Sequence, residues 1–351
     1  MMDFDSDFKN TLAGIDTSNM MSMTNSFPLL LRLMRIHDDT IEDVHQTYGS
    51  KLDGICIVGV GGSAIAGDIC RAYLMGHDLI PIISSRNYSI PQFVNKNWAV
   101  ISLSYSGHTA ETITATRDAN KRGCPLFLVT SGGPLENTAR NALEFRLPIG
   151  LKPRAALPLI VSITLPILET LLGVQGTNLD SVSESLKQLH ARWDSTNVSP
   201  ASCAQLIKDR IPIFIGWNHL APVAYRARCQ MNENAKILAI SSEMPEASHN
   251  EIEGAAACAK HQFIPILLRS REESQEVKQQ FEETTKIFIE NGCNTLSLNL
   301  ELESRIQESL GYTYHLDLTS CFLADFLGVD AMSGERINQI KTKLEEPKMD
   351  L

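Results

Sequence analysis

A glycine-rich stretch near residue 60 has the composition of an anion-binding turn. Residues 55–60 form an almost unbroken apolar run, typical of a buried parallel strand, and the apolar spacing becomes helical after the sequence GVGGS at 59–63. A turn of this kind leaves backbone N–H groups free at a helix N-terminus, where the helix dipole also favours negative charge. We expect Gly62 and Ser63 to contact a phosphate. The structural alternative is a tight turn that only packs.

The same stretch does not fit a nucleotide well. A P-loop has Lys followed by Ser or Thr after its last glycine, and this sequence lacks them. The looser dinucleotide spacing is met, but the next predicted strand ends on Ser-Ser-Arg at 84–86, without the acidic residue that holds a ribose. The sequence therefore favours a phosphate that is not part of a nucleotide.

A second stretch, SYSGHTAET at 104–112, places hydroxyl groups around a glycine after another apolar run. The hydroxyls of Ser104, Ser106 and Thr109 can donate hydrogen bonds to phosphate oxygens. The alternative is an ordinary helix N-terminus, in which Ser106 or Thr109 caps the helix and Glu111 complements its dipole. Ligands of open α/β sheets collect at the carboxyl ends of the strands, so two such turns in one sheet favour a phosphate site.

Apolar strands and helical segments alternate along the first half of the chain, which predicts a parallel sheet with right-handed crossovers. The predicted strands are 55–60, 79–84, 99–104 and 126–130, and the predicted helices are 63–75, 109–122 and 134–141.

The pattern begins again in the second half of the chain. The predicted strands there are 211–216, 236–241, 263–269 and 294–300, and the helical segments are 221–234, 271–290 and 312–344. The shared strand–glycine–helix opening predicts an internal structural duplication. We expect an N-terminal helical segment (1–45), a first α/β domain that contains both phosphate-binding turns (46–175), a linker (176–199) and a second α/β domain with C-terminal helices (200–351).

Composition excludes several classes of function. The 351 residues are 43% hydrophobic and 21% charged, which is ordinary for a soluble globular protein, and the net charge of -10 argues against binding to nucleic acid or an anionic membrane. Eight cysteines are scattered singly without CxxC, HxH or HExxH motifs, so neither a metal site nor a disulfide framework is predicted. The first ten residues lack the pattern of a signal peptide, and we expect a cytoplasmic protein.

One segment, 155–174, is apolar enough and about long enough to span a bilayer. Pro158, Pro166 and Glu169 weaken that interpretation. A helix covered on all sides by other elements has the same pattern, and we favour that alternative.

Five motifs, in this order and at these intervals, resemble the bifunctional phosphoglucose/phosphomannose isomerase family: GVGGSAIAGD, SYSGHTAET, PRAAL, NENAK and SHNEIEG. The resemblance covers about residues 50–345 and implies two sugar isomerase (SIS) domains, each a doubly wound, flavodoxin-like α/β fold. The first two motifs mark the wider SIS superfamily, which includes regulators and synthase domains, whereas NENAK and HNE are more specific. The chain departs from the family at His108, usually Asn, and at Ala-Met-Ser 331–333, often Pro-Thr-Pro.

The resemblance also implies roles in an aldose–ketose isomerisation. Glu233 in NENAK is similar to the base that takes the C2 proton, Arg154 in PRAAL to the guanidinium that stabilises the enediolate, and His249 in SHNE to the residue that opens the ring. Without the resemblance, Glu233 is most simply a helix glutamate paired with Lys236, and Arg154 a charge that flanks an apolar helix. Family members are dimers in which the histidine crosses the interface, and we expect a homodimer with His249 placed in this way.

Two further sets of residues follow from the resemblance. Lys341 is similar to the lysine of the C-terminal helix near the ring oxygen, with Lys343 as the alternative; a solvated helix lysine is the ordinary interpretation of both. The phosphate is expected to contact Gly62, Ser63, Ser104, Ser106 and Thr109.

The implied activity interconverts glucose 6-phosphate and mannose 6-phosphate with fructose 6-phosphate, without metal or cofactor. One base can serve both epimers if the C2–C3 bond rotates at the enediolate stage. Two alternatives stay open: a non-catalytic SIS-type regulator that binds a sugar phosphate, and an isomerase for another phosphosugar. A pure binder needs the hydroxyl groups but not the base, and no DNA-binding helix-turn-helix is evident in the sequence.

Overall fold

A computed structural model of the chain describes residues 13–49, 51–77, 80–193 and 198–345. Their strands form two β-sheets, one in each half of the chain, and every pair of neighbouring strands is parallel. Helices form most of the crossover connections that join successive parallel strands. The fold is α/β with two doubly wound SIS-type units, and the alternation of strands and helices in the sequence correctly predicted this class.

The first half begins with short helices and continues into the first sheet. Its elements are α1 (Met20–Asn25), α2 (Phe27–Leu33), α3 (Asp38–Tyr48), β1 (Gly54–Gly59), α4 (Gly61–Leu74), β2 (Ile82–Ser85), β3 (Trp98–Ser104), α5 (Ala110–Lys121), β4 (Leu126–Thr130), β5 (Leu143–Arg146) and α6 (Leu157–Leu172).

The strand order of the first sheet is β2-β1-β3-β4-β5. This is the flavodoxin-like order: β2 follows β1 toward one edge of the sheet, and β4 and β5 follow β3 toward the other edge. The reversal opens a crevice beyond the carboxyl ends of these two strands, where Gly59 is in register with Leu103. Both predicted phosphate-binding turns begin at this crevice.

The second half repeats the arrangement with a smaller sheet of order β7-β6-β8-β9. Its elements are α7 (Leu179–Arg192), α8 (Pro200–Ile207), β6 (Ile211–Trp217), α9 (Ala221–Gln230), β7 (Ile240–Met244), α10 (Ala255–Lys260), β8 (Phe263–Leu268), α11 (Gln275–Glu290), β9 (Leu296–Leu298), α12 (Arg305–Leu327) and α13 (Glu335–Glu345). The strand order reverses between β6 and β8, as it does between β1 and β3.

One hydrophobic core lies between the two sheets and includes residues of both halves. Helix α6 is central to it and packs against α2, α3 and α4. The segment Pro153–Leu172 has the length and hydropathy to cross a membrane, and 89% of its most apolar window is buried inside the protein. The outer face of each sheet has a smaller core beneath its own helices.

The segment predicted as a linker, 176–199, contains helix α7. An apolar stripe along α7 is buried against α2 and α12: Leu179, Val182, Leu186 and Leu189. Helices α1 and α2 from the predicted N-terminal segment also pack against the central helices. These helices belong to the shared core.

Several predicted boundaries differ from the observed ones. The strand predicted at 236–241 begins only at Ile240, because Lys236 has a left-handed backbone (φ 60°) and ends the preceding helix in a turn. The helix predicted at 271–290 begins at Gln275, since the Ser274 side chain accepts a hydrogen bond from the Val277 N–H and caps it.

The first sheet also departs from the prediction at three places. The helix expected at 134–141 is only a 3₁₀ turn, Pro134–Asn137, preceded by Gly133 with a positive φ of 82°. Strand β5 was not predicted because its sequence, LEFR, has no apolar run and three of its four residues are exposed. The strand predicted at 79–84 is observed from Ile82, and residue 79 lies outside the described residues.

Candidate active site

The glycine-rich turn leaves the N-terminus of α4 without a side-chain cap. Val60 precedes the helix in an extended conformation, and Gly61 has a φ of 60° with nothing within 4 Å of the position that a Cβ would take. A Cβ on Gly59 would lie 2.9 Å from the Leu103 carbonyl oxygen, so glycine is required where β1 approaches β3. The first N–H groups of α4 therefore lie at the crevice without a side-chain cap.

The hydroxyl-rich turn lies directly against this helix. The Tyr105 N–H donates to Ser63 Oγ at 3.2 Å, and Ser104 Oγ accepts from the Gly107 N–H at 3.1 Å. Ser104 Oγ and Thr109 Oγ1 are 3.0 Å apart. Thr109 precedes α5 but makes no side-chain cap hydrogen bond, so α5 also presents an uncapped N-terminus.

Gly107 fixes the shape of the hydroxyl-rich turn. Its φ is 66°, and a Cβ there would lie 1.6 Å from the Gly132 carbonyl oxygen. Ser106 accepts a hydrogen bond from the His108 N–H at 3.3 Å, and the His108 ring turns back to the Ser106 carbonyl oxygen at 2.6 Å. The turn thus collects Ser104, Ser106 and Thr109 at the end of β3, beside Ser63.

Arg154 joins the two halves of the chain beside this crevice. It lies in the 3₁₀ turn before α6, and its side chain is 10% exposed. Its Nε donates to Asn234 Oδ1 at 2.7 Å, its Nη2 donates to the Ala331 carbonyl oxygen, and its Nη1 is 3.7 Å from Glu233 Oε2. Burial lowers the pKa of Arg154 while the Glu233 carboxylate opposes that shift, and the guanidinium stays charged.

Glu233 lies in a π-helical turn, Met231–Ala235, that continues α9. Such turns are rare and occur often at functional sites. The carboxylate is 31% exposed and faces Arg154, and it does not pair with Lys236 as the simple helix interpretation expected. Lys236 Nζ instead donates to the backbone carbonyls of Glu233 and Ser333, and burial together with the Arg154 charge lowers the pKa of Lys236.

A buried ion pair that was not predicted from the sequence holds the backbone of Arg154. Arg226 on α9 donates to Asp317 on α12 through Nε at 3.1 Å and Nη2 at 2.8 Å, and it also donates to the Arg154 carbonyl oxygen. A Cβ on Gly62 would lie 3.4 Å from Arg226 Nη1, so the pair also contacts the glycine-rich turn. The sequence did carry one signal for this pair: Asp317 lies within the long helix α12, and a buried charge requires a partner.

No described contact joins the other two predicted catalytic residues, His249 and Lys341, to Glu233 or Arg154. His249 is exposed between the 3₁₀ turns Glu246–Ser248 and Glu251–Gly254, and no hydrogen bond joins its ring to another described residue of the chain. Lys341 lies in α13, and its side chain is outside the described part of the structure. The alternative, Lys343, is exposed on the same helix.

The fold and the crevice define a protein with two SIS domains. Residues 198–344 match the family model described as the bacterial phospho-glucose isomerase C-terminal SIS domain. The solved C-terminal domain of glucosamine-fructose-6-phosphate aminotransferase from Francisella tularensis has the same fold, with a TM-score of 0.69 at 17% identity over 91% of this chain and 98% of that one.

Relatives with assigned activities identify the family within the SIS proteins. The chain is 30% identical over 297 residues to the bifunctional phosphoglucose/phosphomannose isomerase of Aquifex aeolicus, which covers 84% of this chain and 91% of the relative. It is also 33% identical over 220 residues to the D-glucosamine-6-phosphate 4-epimerase of Sulfolobus acidocaldarius, covering 62% and 68%. The chain belongs to the bifunctional phosphoglucose/phosphomannose isomerase family, as its motifs predicted.

Proposed function

We propose that this chain is an isomerase that interconverts glucose 6-phosphate and mannose 6-phosphate with fructose 6-phosphate. The observation that carries the proposal is the pairing of Arg154 with Glu233 at 3.7 Å, beside two uncapped helix N-termini and a cluster of hydroxyl groups. Proton transfer next to a carbonyl requires a base and a positive group for the developing oxyanion, and a phosphosugar requires an anion site nearby. The closeness of Arg154 to the glycine-rich turn supports the proposal, since a Cβ on Gly62 would lie 3.5 Å from Arg154 Cα.

The first domain holds the phosphate in this mechanism. Gly62 and Ser63 contribute from the start of α4, and Ser104, Ser106 and Thr109 contribute from the turn before α5. The hydroxyls and the free N–H groups donate to phosphate oxygens, and the dipoles of both helices favour the negative charge. This fixes the far end of the open-chain sugar, so that its carbonyl end reaches toward Arg154.

Glu233 takes the proton from C2 and returns it to C1, and the reverse path begins at C1. The negative charge that develops on the enediolate oxygens faces the Arg154 guanidinium, whose Nε and Nη2 are already held by Asn234 and the Ala331 carbonyl. One fixed donor of this kind contributes about 3 kcal/mol to transition-state stabilisation. Rotation about C2–C3 at the enediolate stage lets the same base serve both epimers.

Ring opening precedes proton transfer and is assigned to His249 of a partner subunit, because an imidazole both accepts and donates protons near neutral pH. Its exposed position fits contribution across a homodimer interface. Lys341 on α13 is the proposed neighbour of the ring oxygen. Each step uses the chain's own side chains, so the proposed reaction is independent of metal, and we propose that it takes place in the cytoplasm.

Proton NMR in D2O with EDTA tests the proposal directly. The purified protein is given fructose 6-phosphate, and the C1 protons of glucose 6-phosphate and mannose 6-phosphate are followed separately. Both products, with deuterium at C2, are expected. One product would restrict the activity to a single epimer, and neither product would favour the regulator that binds sugar phosphate without catalysis.

The epimerase relative makes an amino sugar phosphate a second candidate substrate. It shares 33% identity with this chain over 220 residues, comparable with the isomerase relatives. The same NMR assay with glucosamine 6-phosphate separates the two activities, because inversion at C4 gives a product with a different H4 coupling. Turnover of glucosamine 6-phosphate without turnover of fructose 6-phosphate would replace the leading proposal.

A further inference from the structure

The second sheet carries a turn whose backbone matches the glycine-rich turn of the first. Val60 lies at φ -135° and ψ 152°, and Trp217 lies at φ -129° and ψ 139°. The next residues, Gly61 and Asn218, both have left-handed backbones, with φ of 60° and 52°. Each turn follows the strand next to the reversal of strand order, the place where open α/β sheets bind ligands.

A side chain of the protein itself fills this second crevice. The Glu308 carboxylate, from the first turn of α12, accepts hydrogen bonds from His219 Nε2 at 2.7 Å, Ser270 Oγ at 2.7 Å and the Arg271 N–H at 2.8 Å. His219 follows β6, whereas Ser270 and Arg271 follow β8, so the carboxylate lies between the two loops that frame the crevice. The Glu308 side chain is 3% exposed, and that of His219 is fully buried.

The three donors are of the kinds that bind phosphate: a hydroxyl, a backbone N–H and a ring N–H. At the first crevice, no carboxylate of the described residues bonds to the hydroxyls of Ser63, Ser104, Ser106 or Thr109. Burial alone would raise the pKa of Glu308, but the bonds from His219, the Arg271 amide and Ser270 outweigh it and hold the pKa below its usual value. Glu308 is therefore an anion at neutral pH.

We propose that the second domain contains an anion-binding site equivalent to the phosphate site of the first, and that Glu308 is its permanent internal ligand. The carboxylate occupies the position that a phosphate or carboxylate ligand would take between the two loops. Each chain then binds one sugar phosphate, in the first domain only. The number of sugar phosphates bound per chain, one, rests on the proposed function of the first site. The assignment of Glu308 as the ligand of the second site does not.

Removal of the carboxylate should turn the filled site into an empty one. In Glu308→Ala, the donors of His219, Ser270 and Arg271 lose their acceptor, and we expect the Tm to fall. Sodium acetate should then raise the Tm of this variant saturably, by about 3 °C or more, because an anion that binds only the folded state stabilises it. The measurement is a thermal unfolding series in acetate against sodium chloride at equal ionic strength.

Two comparisons make the test specific. Acetamide has the shape of acetate without its charge and should leave the Tm of Glu308→Ala unchanged. Glu308→Gln keeps the site filled and should respond to acetate no more than the original protein does. An equal response to acetamide, an equal response of Glu308→Gln, or no response of Glu308→Ala to acetate would overturn the proposal.

A second measurement covers the case in which Glu308→Ala does not fold. Isothermal titration of the original protein with inorganic phosphate should give one site per chain, and two sites per chain would overturn the proposal. The refolding yield of Glu308→Ala then replaces the unfolding series, and it should be higher in acetate than in acetamide. Loss of phosphate binding by the first domain would count against the proposed function and would leave the acetate result unaffected.

Discussion

Arg154 shows how a single side chain depends on residues far away in the sequence. Its Nε is held by Asn234, its Nη2 by the carbonyl of Ala331, and its own backbone carbonyl accepts from Arg226. These hydrogen bonds hold the guanidinium beside Glu233. Preorganised charge of this kind stabilises a developing oxyanion without reorganisation during the reaction.

Glu233→Gln tests the proposed base by replacing its carboxylate with an uncharged amide. The variant keeps the shape of the side chain but cannot accept the C2 proton, so kcat should fall by about 10²- to 10⁴-fold. The proposed phosphate contacts lie on the first domain and are unchanged in this variant, so KM should change little. Steady-state kinetics with fructose 6-phosphate measures both constants.

Glu283→Gln is the matched control for this variant. Glu283 is an exposed helix glutamate near Lys286, at 4.0 Å, and belongs to no site. Its kcat and KM should stay unchanged, since exposed ion pairs of this kind contribute little. Full activity in Glu233→Gln would remove Glu233 from the mechanism.

The sequence predicts the two charged residues of the site but not the residues that hold them in position. Pattern and resemblance selected Glu233 and Arg154, and the structure brings them together. Asn234, Arg226 and Asp317 were not selected, because their importance lies in contacts between segments that are distant along the chain. The alternative interpretation, a helix ion pair of Glu233 with Lys236, is not observed: Lys236 has a left-handed backbone, and its Nζ donates to the carbonyls of Glu233 and Ser333.

At the scale of the element, the order of strands decides where the site can form. Alternating strands and helices predicted the two parallel sheets from sequence alone, because each buried strand is a compact apolar run. Strand β5 was not predicted, because this exposed edge strand has no apolar run. The crevice itself follows from strand order, which periodicity does not specify.

The buried pair of Arg226 and Asp317 joins helices α9 and α12 to the turn that carries Arg154. Either Arg226→Met or Asp317→Leu alone should cost roughly 3–5 kcal/mol of stability, because each leaves an unpaired buried charge. The double variant should recover much of that stability, since a well-packed apolar pair removes both charges. It should not recover kcat, because the hydrogen bond to the Arg154 carbonyl is still missing.

Urea unfolding and steady-state kinetics on the two single variants and the double variant separate these effects. Recovery of stability without activity would identify Arg226 as a positioning residue. Recovery of both together would show that the pair is only structural, and that the geometry of Arg154 does not depend on it.

At the scale of the whole molecule, the site needs both halves of the chain and, in the proposed mechanism, a second copy. The proposed phosphate-binding turns belong to the first half and Glu233 to the second, and one core holds the halves together. His249 instead faces outward. In the same half, Leu238 lies just before the edge strand β7 and Ile240 begins it. Their side chains are 78% and 41% exposed and form an apolar surface that suits subunit contact.

Mixed dimers test whether His249 acts on the partner's site. Glu233→Gln and His249→Ala should each be nearly inactive alone. If the histidine crosses the interface, a mixed dimer contains one site with both defects and one site with none. Random exchange of subunits then restores about a quarter of the original activity, since about half of the dimers are mixed and each has one working site.

The experiment requires subunit exchange in mild denaturant, followed by dilution and assay with fructose 6-phosphate. Each variant taken through the same procedure with itself controls for reactivation by refolding. No recovery in the mixture, with exchange verified by differently tagged subunits, would mean that His249 serves the Glu233 of its own chain. The loop from Glu246 to Gly254 would then have to fold back toward Arg154 when substrate binds, and each chain would carry a complete site.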